Sequence, residues 1–308
     1  MKTKKVEILL ATYNGEQYLR EQLESILNQD YENWIVRACD DASTDRTYNI
    51  LEEYKEKHPE KFIIKQNEKG FGCAKKNFMN LIKNSSCDYV MCCDQDDVWL
   101  SNKISVTLQK MKQSEKADMP VLVHTDLKVV DAQLDVLSES FFEHSNFRKQ
   151  FKLNEVLIQN FVTGCTVMMN RPLVELMNRV EDCDEILMHD WIAAVLATSI
   201  GKVAFVDTPT MLYRQHAINS VGAKKYGFAL FLSKLKEAKM KQSLVDTTVQ
   251  AAEIAKLYQD ILDEKKYEFI HQYGTLWEKN KIQRIHFYLK HKVLKKGFPR
   301  KLCQLIVG

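Results

Sequence analysis

Over its first 112 residues the chain alternates strand-like runs with segments of helical period, and this alternation most narrows what it can fold into. Val6–Thr12, Trp34–Cys39, Lys61–Gln66 and Tyr89–Cys93 read as strands. Glu16–Asn28, Ser43–Lys57, Phe71–Lys83 and Leu100–Lys112 read as helices. Tyr18, Leu19, Leu23, Ile26 and Leu27 share one face of the first, and Tyr48, Leu51 and Tyr54 one face of the second. A βαβαβαβ order predicts an α/β fold, a mainly parallel sheet covered by helices. In such sheets ligands bind beyond the carboxyl ends of the strands. Polar clusters stand at those ends: Thr12-Tyr13-Asn14, Asp40-Asp41, Asn67 and Asp94-Gln95-Asp96-Asp97.

The last cluster is the most demanding chemically. Three carboxylates crowd the exit of an apolar strand, where like charges repel and resist burial. A divalent cation resolves that conflict, and Mg²⁺ or Mn²⁺ takes carboxylate oxygens together with the phosphate oxygens of a substrate. The alternative is a solvated acidic turn opening the next helix, with Asp97 as its cap. Gly70-Phe71-Gly72 precedes another helix. Glycines there let backbone approach a ligand, and a helix N-terminus favours an anion. Lys76, one turn further in, is a candidate for a diphosphate or an ordinary solvated lysine.

A length of 308 residues allows one large domain or two smaller ones. The net charge of +3 is too small to imply a nucleic-acid partner. Of the eight cysteines none forms a Cys-x-x-Cys pair, which argues against structural zinc. Several lie within apolar runs, as small buried hydrophobes do in a reducing compartment. Met1–Lys5 is basic but leads into a short strand, so no signal peptide is expected. No apolar stretch reaches 18 residues, so no transmembrane helix is expected. The expectation is a cytoplasmic protein.

After about residue 120 the pattern changes. Val121–Val130, Gly164–Met169 and Lys202–Val206 read as strands and Met188–Ser199 as a helix, while Leu137–Gln150 has no period and reads as a loop. From Tyr226 the chain is helical and lysine-rich. Domains are expected at 1–225, catalytic, and 226–308, a helical basic extension docked on the first.

Five pieces together resemble a family-2 glycosyltransferase of GT-A fold, over residues 5–222: Ala11-Thr12-Tyr13-Asn14-Gly15, Cys39-Asp40-Asp41-Ala42-Ser43-Thr44-Asp45, Asp94-Gln95-Asp96-Asp97-Val98-Trp99, Met188-His189-Asp190-Trp191 and Tyr213-Arg214-Gln215-His216-Ala217-Ile218-Asn219. The last two look like the rhamnosyltransferase-type branch. The resemblance implies a nucleotide-sugar donor held by Thr12, Tyr13, Asn14, Asp40, Asp41, Asn67, Lys76, Asp94, Gln95 and Arg214. It gives Asp41 the base, through the directional bond a carboxylate accepts from a uracil or thymine ring N–H, and Asp40 a supporting role. Helix capping by Ser43, Thr44 and Asp45 is the alternative there. Asp94-Gln95-Asp96 matches the family's Asp-x-Asp motif, with Gln where Ala is common. The implied ligands of Mn²⁺ or Mg²⁺ are Asp96 and His216, with a surface or core histidine as the alternative for the latter. Arg214 is implied to steady the diphosphate and Asn219 to hold its loop.

An acceptor hydroxyl is a poor nucleophile near neutrality and needs a positioned base. The resemblance assigns Asp190, although relatives carry Glu-Asp where this chain has His189-Asp190; an N-cap is the alternative. Thr163-Gly164-Cys165 is expected to line the acceptor side. The resemblance thus implies an inverting transferase, without the Gln-x-x-Arg-Trp motif of processive relatives, that moves rhamnose or another hexose from a dTDP- or UDP-sugar to an oligosaccharide or lipid-linked acceptor. Two rivals stand beside it, a sugar nucleotidyltransferase and a catalytically silent binding subunit. The segment Lys281–Gly308 holds eight Lys/Arg and no Asp or Glu, interleaved with apolar residues. Such helices can lie peripherally on an anionic membrane surface, or pack against the catalytic domain or a second copy of the chain.

Overall fold

The computed structural model describes residues 4–145, 147–216 and 234–308. Its first half follows the expected order: β1 (Val6–Thr12), α1 (Leu19–Leu27), β2 (Trp34–Asp40), α2 (Thr47–Lys57), β3 (Phe62–Gln66), α3 (Ala74–Lys83), β4 (Tyr89–Cys93), β5 (Val98–Trp99) and α4 (Lys103–Ser114). Then come β6 (Val121–Val130), β7 (Val136–Ser138), α5 (Phe141–His144), α6 (Leu153–Val156), β8 (Met168–Asn170), α7 (Arg171–Met177), α8 (His189–Ile200) and β9 (Lys202–Arg214). The chain closes with α9 (Lys234–Tyr258), α10 (Glu264–Gly274), α11 (Lys281–His291) and α12 (Phe298–Val307).

Among the described residues the strands form one nine-stranded sheet in the order β3-β2-β1-β4-β8-β6-β9-β5, with β7 beside β6. β1 to β4 are parallel, β8 enters antiparallel between β4 and β6, and β9 runs parallel to β6. The sheet is mixed but mainly parallel, with helices on its faces, as a GT-A fold requires.

Alternation along β1 sorts its side chains. Ile8 and Leu10 enter the core under α1, α2 and α4, whereas Leu9 faces the core built with α3, α7 and α8. That second core continues into Leu244, Ala251, Ile254 and Tyr258 of α9 and Tyr273 of α10, so α8 is covered on both sides and almost wholly buried. The boundary expected at 225 lies outside the described residues. No helix among the described residues is long and apolar enough to cross a membrane.

Several boundaries differ from the sequence-based expectation, each for a physical reason. Ser43 and Thr44 do not begin α2, because Ser43 bonds Asp40 and Thr44 bonds Asn14. Gly72 takes φ +72° and Cys73 is extended, which delays α3 to Ala74. Asp97 caps nothing: α4 starts after Asn102. Residues 137–150 are not simply a loop, since β7 pairs with β6 and the Phe141 and Phe142 side chains are buried. Gly164–Thr166 is a 3₁₀ turn, and the strand begins at Met168. β9 runs on to Arg214 across two register shifts, with Pro209 at one of them.

Gly201 ends α8 against Pro120 at the head of β6. A methyl there would come within 1.8 Å of the Pro120 carbonyl oxygen, a backbone atom that also accepts Lys202 N–H at 2.9 Å. Gly201→Ala is expected to cost about 1–3 kcal/mol, read as a lowered thermal midpoint. An unchanged midpoint would show that the α8–β6 junction yields freely.

Candidate active site

The polar clusters meet at the carboxyl edge of the sheet. Asn14 leaves β1 with φ +46°, and its Oδ1 accepts Thr44 N–H at 2.9 Å. Gly15 N–H donates to Thr47 Oγ1 at 2.7 Å, and Glu16 N–H to Asp45 Oδ2 at 3.1 Å. These bonds lace the β1 exit to the β2 exit and make Asp45 a turn residue. Asp40 is fully buried. Its carboxylate accepts from Thr12 Oγ1 (2.9 Å), Ser43 N (3.0 Å), Ser43 Oγ (2.6 Å) and Gln66 Nε2 (3.0 Å), so it ties the ends of β1, β2 and β3 together. Asp41 is held differently. It accepts from Asn67 Nδ2 (2.9 Å), Phe71 N (2.7 Å) and Gly72 N (3.0 Å), and Gly70 packs where a Cβ would meet the Asp41 carbonyl at 2.7 Å. A carboxylate offers about four acceptor positions, so one remains for a ring N–H.

Beyond β4, Gln95 clamps the β1 exit: its Oε1 accepts Tyr13 N–H at 2.8 Å and its Nε2 donates to Tyr13 O at 2.9 Å. Its amide stands where a Gly15 side chain would be. Gln95 thus orients the acidic turn, and leaves Tyr13 58 % exposed at its rim. Asp96 Oδ2 and His216 Nε2 lie 2.8 Å apart although 120 residues separate them. Arg214 holds the two chain segments in that register. Its N–H donates to Asp97 Oδ1 (3.1 Å), its Nε to Asp96 O (2.8 Å), its Nη1 to Ala132 O (2.7 Å), and its Nη2 pairs with Glu21. The buried guanidinium also lies over the Tyr18 ring, 4.5 Å from its centroid, and Tyr18 packs on the His216 ring at 4.9 Å. Arg214 therefore stands behind the acidic turn as a strut, and a diphosphate would have to displace these contacts. Tyr18 and Glu21, which the sequence marks only as part of an amphipathic helix, support the site from below. Ala217–Asn219, including the expected loop residue Asn219, lies outside the described residues.

The third part is the start of α8. Asp190 is buried, and its Oδ1 has no hydrogen-bond partner among the described residues. Burial pushes its carboxyl up to about 6, while the Trp191 N–H, the Asn160 amide and the Gly164 N–H pull the other way. His189 stacks on Phe78 at 4.2 Å, with burial holding it neutral down to about 3. Gly164 passes so close that a Cβ would stand 2.8 Å from His189 Nε2 and 3.7 Å from Asp190 Oδ2. Asp94 links the halves. Burial, then the Asp96 and Asp190 carboxylates, raise it to about 7. Lys76 is drawn elsewhere, into an ion pair with Asp184 at 2.8 Å, and Lys75 bonds Ile186 O at 2.5 Å, so these two lysines hold the 184–186 loop.

Two donor sets can be weighed for a cation. Asp94, Asp97 and Cys165 bring ligand atoms within 4.8 Å of one another. Burial raises both the Cys165 thiol and the Asp97 carboxyl well above their ordinary values, and a coordinating thiol must be deprotonated. The same burial removes Cys165 as a nucleophile. Asp96 and His216, partly exposed and converging, offer a carboxylate oxygen that suits Mn²⁺ or Mg²⁺ and an imidazole nitrogen that favours Mn²⁺ over the harder Mg²⁺. A cation there would relieve the repulsion that raises Asp94.

Comparison with known proteins bears on the fold and the family. The chain is 32 % identical over 227 residues to dTDP-rhamnosyl transferase RfbG of Shigella flexneri, covering 70 % of this chain and 74 % of that one. An uncharacterized Mycobacterium tuberculosis protein is 26 % identical over 216 residues, 69 % of this chain and 59 % of that protein. Among solved structures, S. aureus TarS 1-349 superposes with a TM-score of 0.58 at 16 % identity, over 94 % of this chain and 90 % of that one. The same protein in complex with UDP-GlcNAc gives 0.57, also at 16 % identity, over 93 % and 80 %. These two likenesses carry the fold alone. The profile of Glycosyl transferase family 2 matches residues 7–176, more than half of the sequence, and the chain therefore belongs to glycosyltransferase family 2.

Proposed function

We propose that this glycosyltransferase moves rhamnose from a dTDP-sugar to a growing, lipid-linked surface glycan, with inversion and one or a few sugars per encounter. The observation that carries the chemistry is the buried Asp190 carboxylate, whose Oδ1 has no hydrogen-bond partner among the described residues, set beside Asp94 on the edge that also holds Asp96 and His216. The similarity to the Shigella dTDP-rhamnosyl transferase supports the donor. Asp41, in its cradle of Asn67, Phe71 and Gly72, takes the base. Thr12, Tyr13, Asn14, Asp40, Asn67 and Gln95 shape the nucleotide cleft, and Lys76 would first have to leave Asp184. Asp96 and His216 would hold Mn²⁺ or Mg²⁺, which when bound neutralises charge on the departing diphosphate. The Asp190 carboxylate accepts the proton of the acceptor hydroxyl as the hydroxyl oxygen bonds the anomeric carbon. The bond from that carbon to the diphosphate breaks on the opposite face, so configuration inverts without a covalent enzyme intermediate. A nucleotidyltransferase would leave Asp190 without a task.

The domain division at 225 and peripheral attachment to the inner membrane face belong to the same proposal. For the membrane, Ile282 (80 % exposed) and Phe298 (74 % exposed) protrude from a segment carrying only basic charge. The test is nucleotide release from a panel of dTDP-, UDP- and GDP-sugars, with Mn²⁺ or Mg²⁺ and with EDTA. Slow, EDTA-sensitive release from dTDP-rhamnose is expected. Release from a UDP-hexose instead would move the donor to that class, and release from none, with no donor binding by calorimetry, would sink the transfer reading.

A further inference from the structure

A cavity of ≈ 220 Å³ opens where α9, α12 and the segment joining α11 to α12 meet, lined by Lys239, Met240, Ser243, Lys295 and Arg300. Three of these five residues are cations, and among the described residues no carboxylate lines the space. Lys295 is buried. Its ammonium donates to two neutral acceptors, Ile158 O at 3.1 Å and Ser243 Oγ at 3.2 Å. Its place is fixed by the backbone around it. Lys295 N–H donates to Gln304 Oε1 (2.9 Å), Gln304 Nε2 donates to Val293 O (2.9 Å), and Lys296 N–H donates to Gln159 Oε1 (2.9 Å). A buried ammonium held this firmly beside further cations is costly unless an anion joins it. Burial, and then Arg300, accordingly push Lys295 down to about 7, against a pull from Asp246. α12 begins at the same place. Gly297, at φ +94°, turns the chain into that helix.

We propose that this cavity is a phosphate-binding site, taking the phosphate group of a lipid headgroup or a free phosphate ion. Arg300, Lys239 and Lys295 supply charge-assisted donors and Ser243 a hydroxyl, the set that phosphate oxygens accept best. α12 also shows Phe298, Leu302 and Ile306 to solvent at four-residue spacing, on another face of the helix from Arg300. That stripe favours the lipid source. The lining of the site includes none of Asp96, His216 or Asp190, and the site does not depend on the donor or the reaction.

The test uses the full chain in two arms. One titrates inorganic phosphate by calorimetry. The other measures co-sedimentation with phosphatidylcholine vesicles with and without phosphatidic acid. Lys239→Gln with Arg300→Gln is expected to weaken binding about tenfold or more, as loss of charge-assisted bonds does. A control removing the same charge outside the cavity and outside the basic C-terminal segment, Lys55→Gln with Lys83→Gln, should change it less than about threefold. Lys295→Met should act like the cavity pair, which keeps the proposal testable if that variant does not fold. Binding in both arms supports a free phosphate ligand, and binding to phosphatidic acid vesicles alone supports a lipid headgroup. Absence of binding in both arms, or equal losses in the cavity pair and the control, would overturn it.

Discussion

Asp190→Asn is expected to lower turnover by about 10²–10⁴-fold, the contribution of a positioned general base, while donor affinity stays within about twofold, as uniform binding is untouched. The amide keeps the volume and the α8 start, but Nδ2 or Oδ1 of an asparagine cannot take the acceptor proton. The pH profile gives an independent readout. With the Asp190 carboxyl raised to about 6, chiefly by burial, the reactive carboxylate is lost as pH falls through that value. Wild-type kcat/KM should therefore rise with pH across about 6, and that limb should vanish in the variant. His189 cannot supply it, since burial holds its ring neutral down to about 3. The linkage sign separates catalysis from folding. A carboxyl whose folded pKa lies above its unfolded value binds more proton in the native state, so its contribution to stability falls as pH rises from about 4 through 6. Removing the charge should leave the variant no less stable above pH 6 by thermal melting. Turnover unchanged in Asp190→Asn would exclude Asp190 as the base, and lost donor binding at unchanged saturated turnover would place it on the donor.

The first half of the fold is legible in the sequence because a buried parallel strand needs little but apolar residues, and Val6–Thr12 and Tyr89–Cys93 supply little else. Where local period competes with side-chain bonds, the bonds win. Ser43–Arg46 has the composition of a helix start, yet Asp40 and Asn14 bind it as a turn. The aromatic run at 141–147 has no period because Phe141, Phe142 and Phe147 pack edge to face with one another and with Tyr213, not along one helix face. The site divides in the same way. Asp94–Asp97 is conspicuous because its carboxylates adjoin in sequence. Asp96 meets His216 across 120 residues and Arg214 meets Glu21 across 193. No spacing rule reaches that far; family resemblance supplies His216, and nothing in the sequence supplies Glu21 or Tyr18. Gln95, expected as a donor contact, uses its amide to fasten Tyr13.

Asp96→Asn and His216→Ala are each expected to lower kcat/KM by about 10³-fold or more, since stabilising a departing diphosphate is worth several kcal/mol and each 1.36 kcal/mol is tenfold. The two groups converge 2.8 Å apart at a partly exposed edge, with a carboxylate neighbour in Asp94 raised by burial and like charge. If both groups hold one ion, removing either empties the same site. The double variant should then lose little more than the worse single one, a departure from additivity that independent roles would not produce. Binding can be read without turnover: Mn²⁺ titration followed by electron paramagnetic resonance, with and without nucleotide diphosphate, should show weakened ion binding in both single variants. Folding is a weak confounder, because Arg214 keeps its bonds to Asp97, Ala132 and Glu21 in either variant and so holds the β9 end in register. Gln95→Ala is the informative control. It frees Tyr13 and loosens the turn while leaving both donor atoms in place, so it should weaken Mn²⁺ far less than Asp96→Asn. Additive losses, or Mn²⁺ affinity unchanged in both single variants, would place the ion elsewhere, and the Asp94, Asp97 and Cys165 cluster would be the next site to test by substitution.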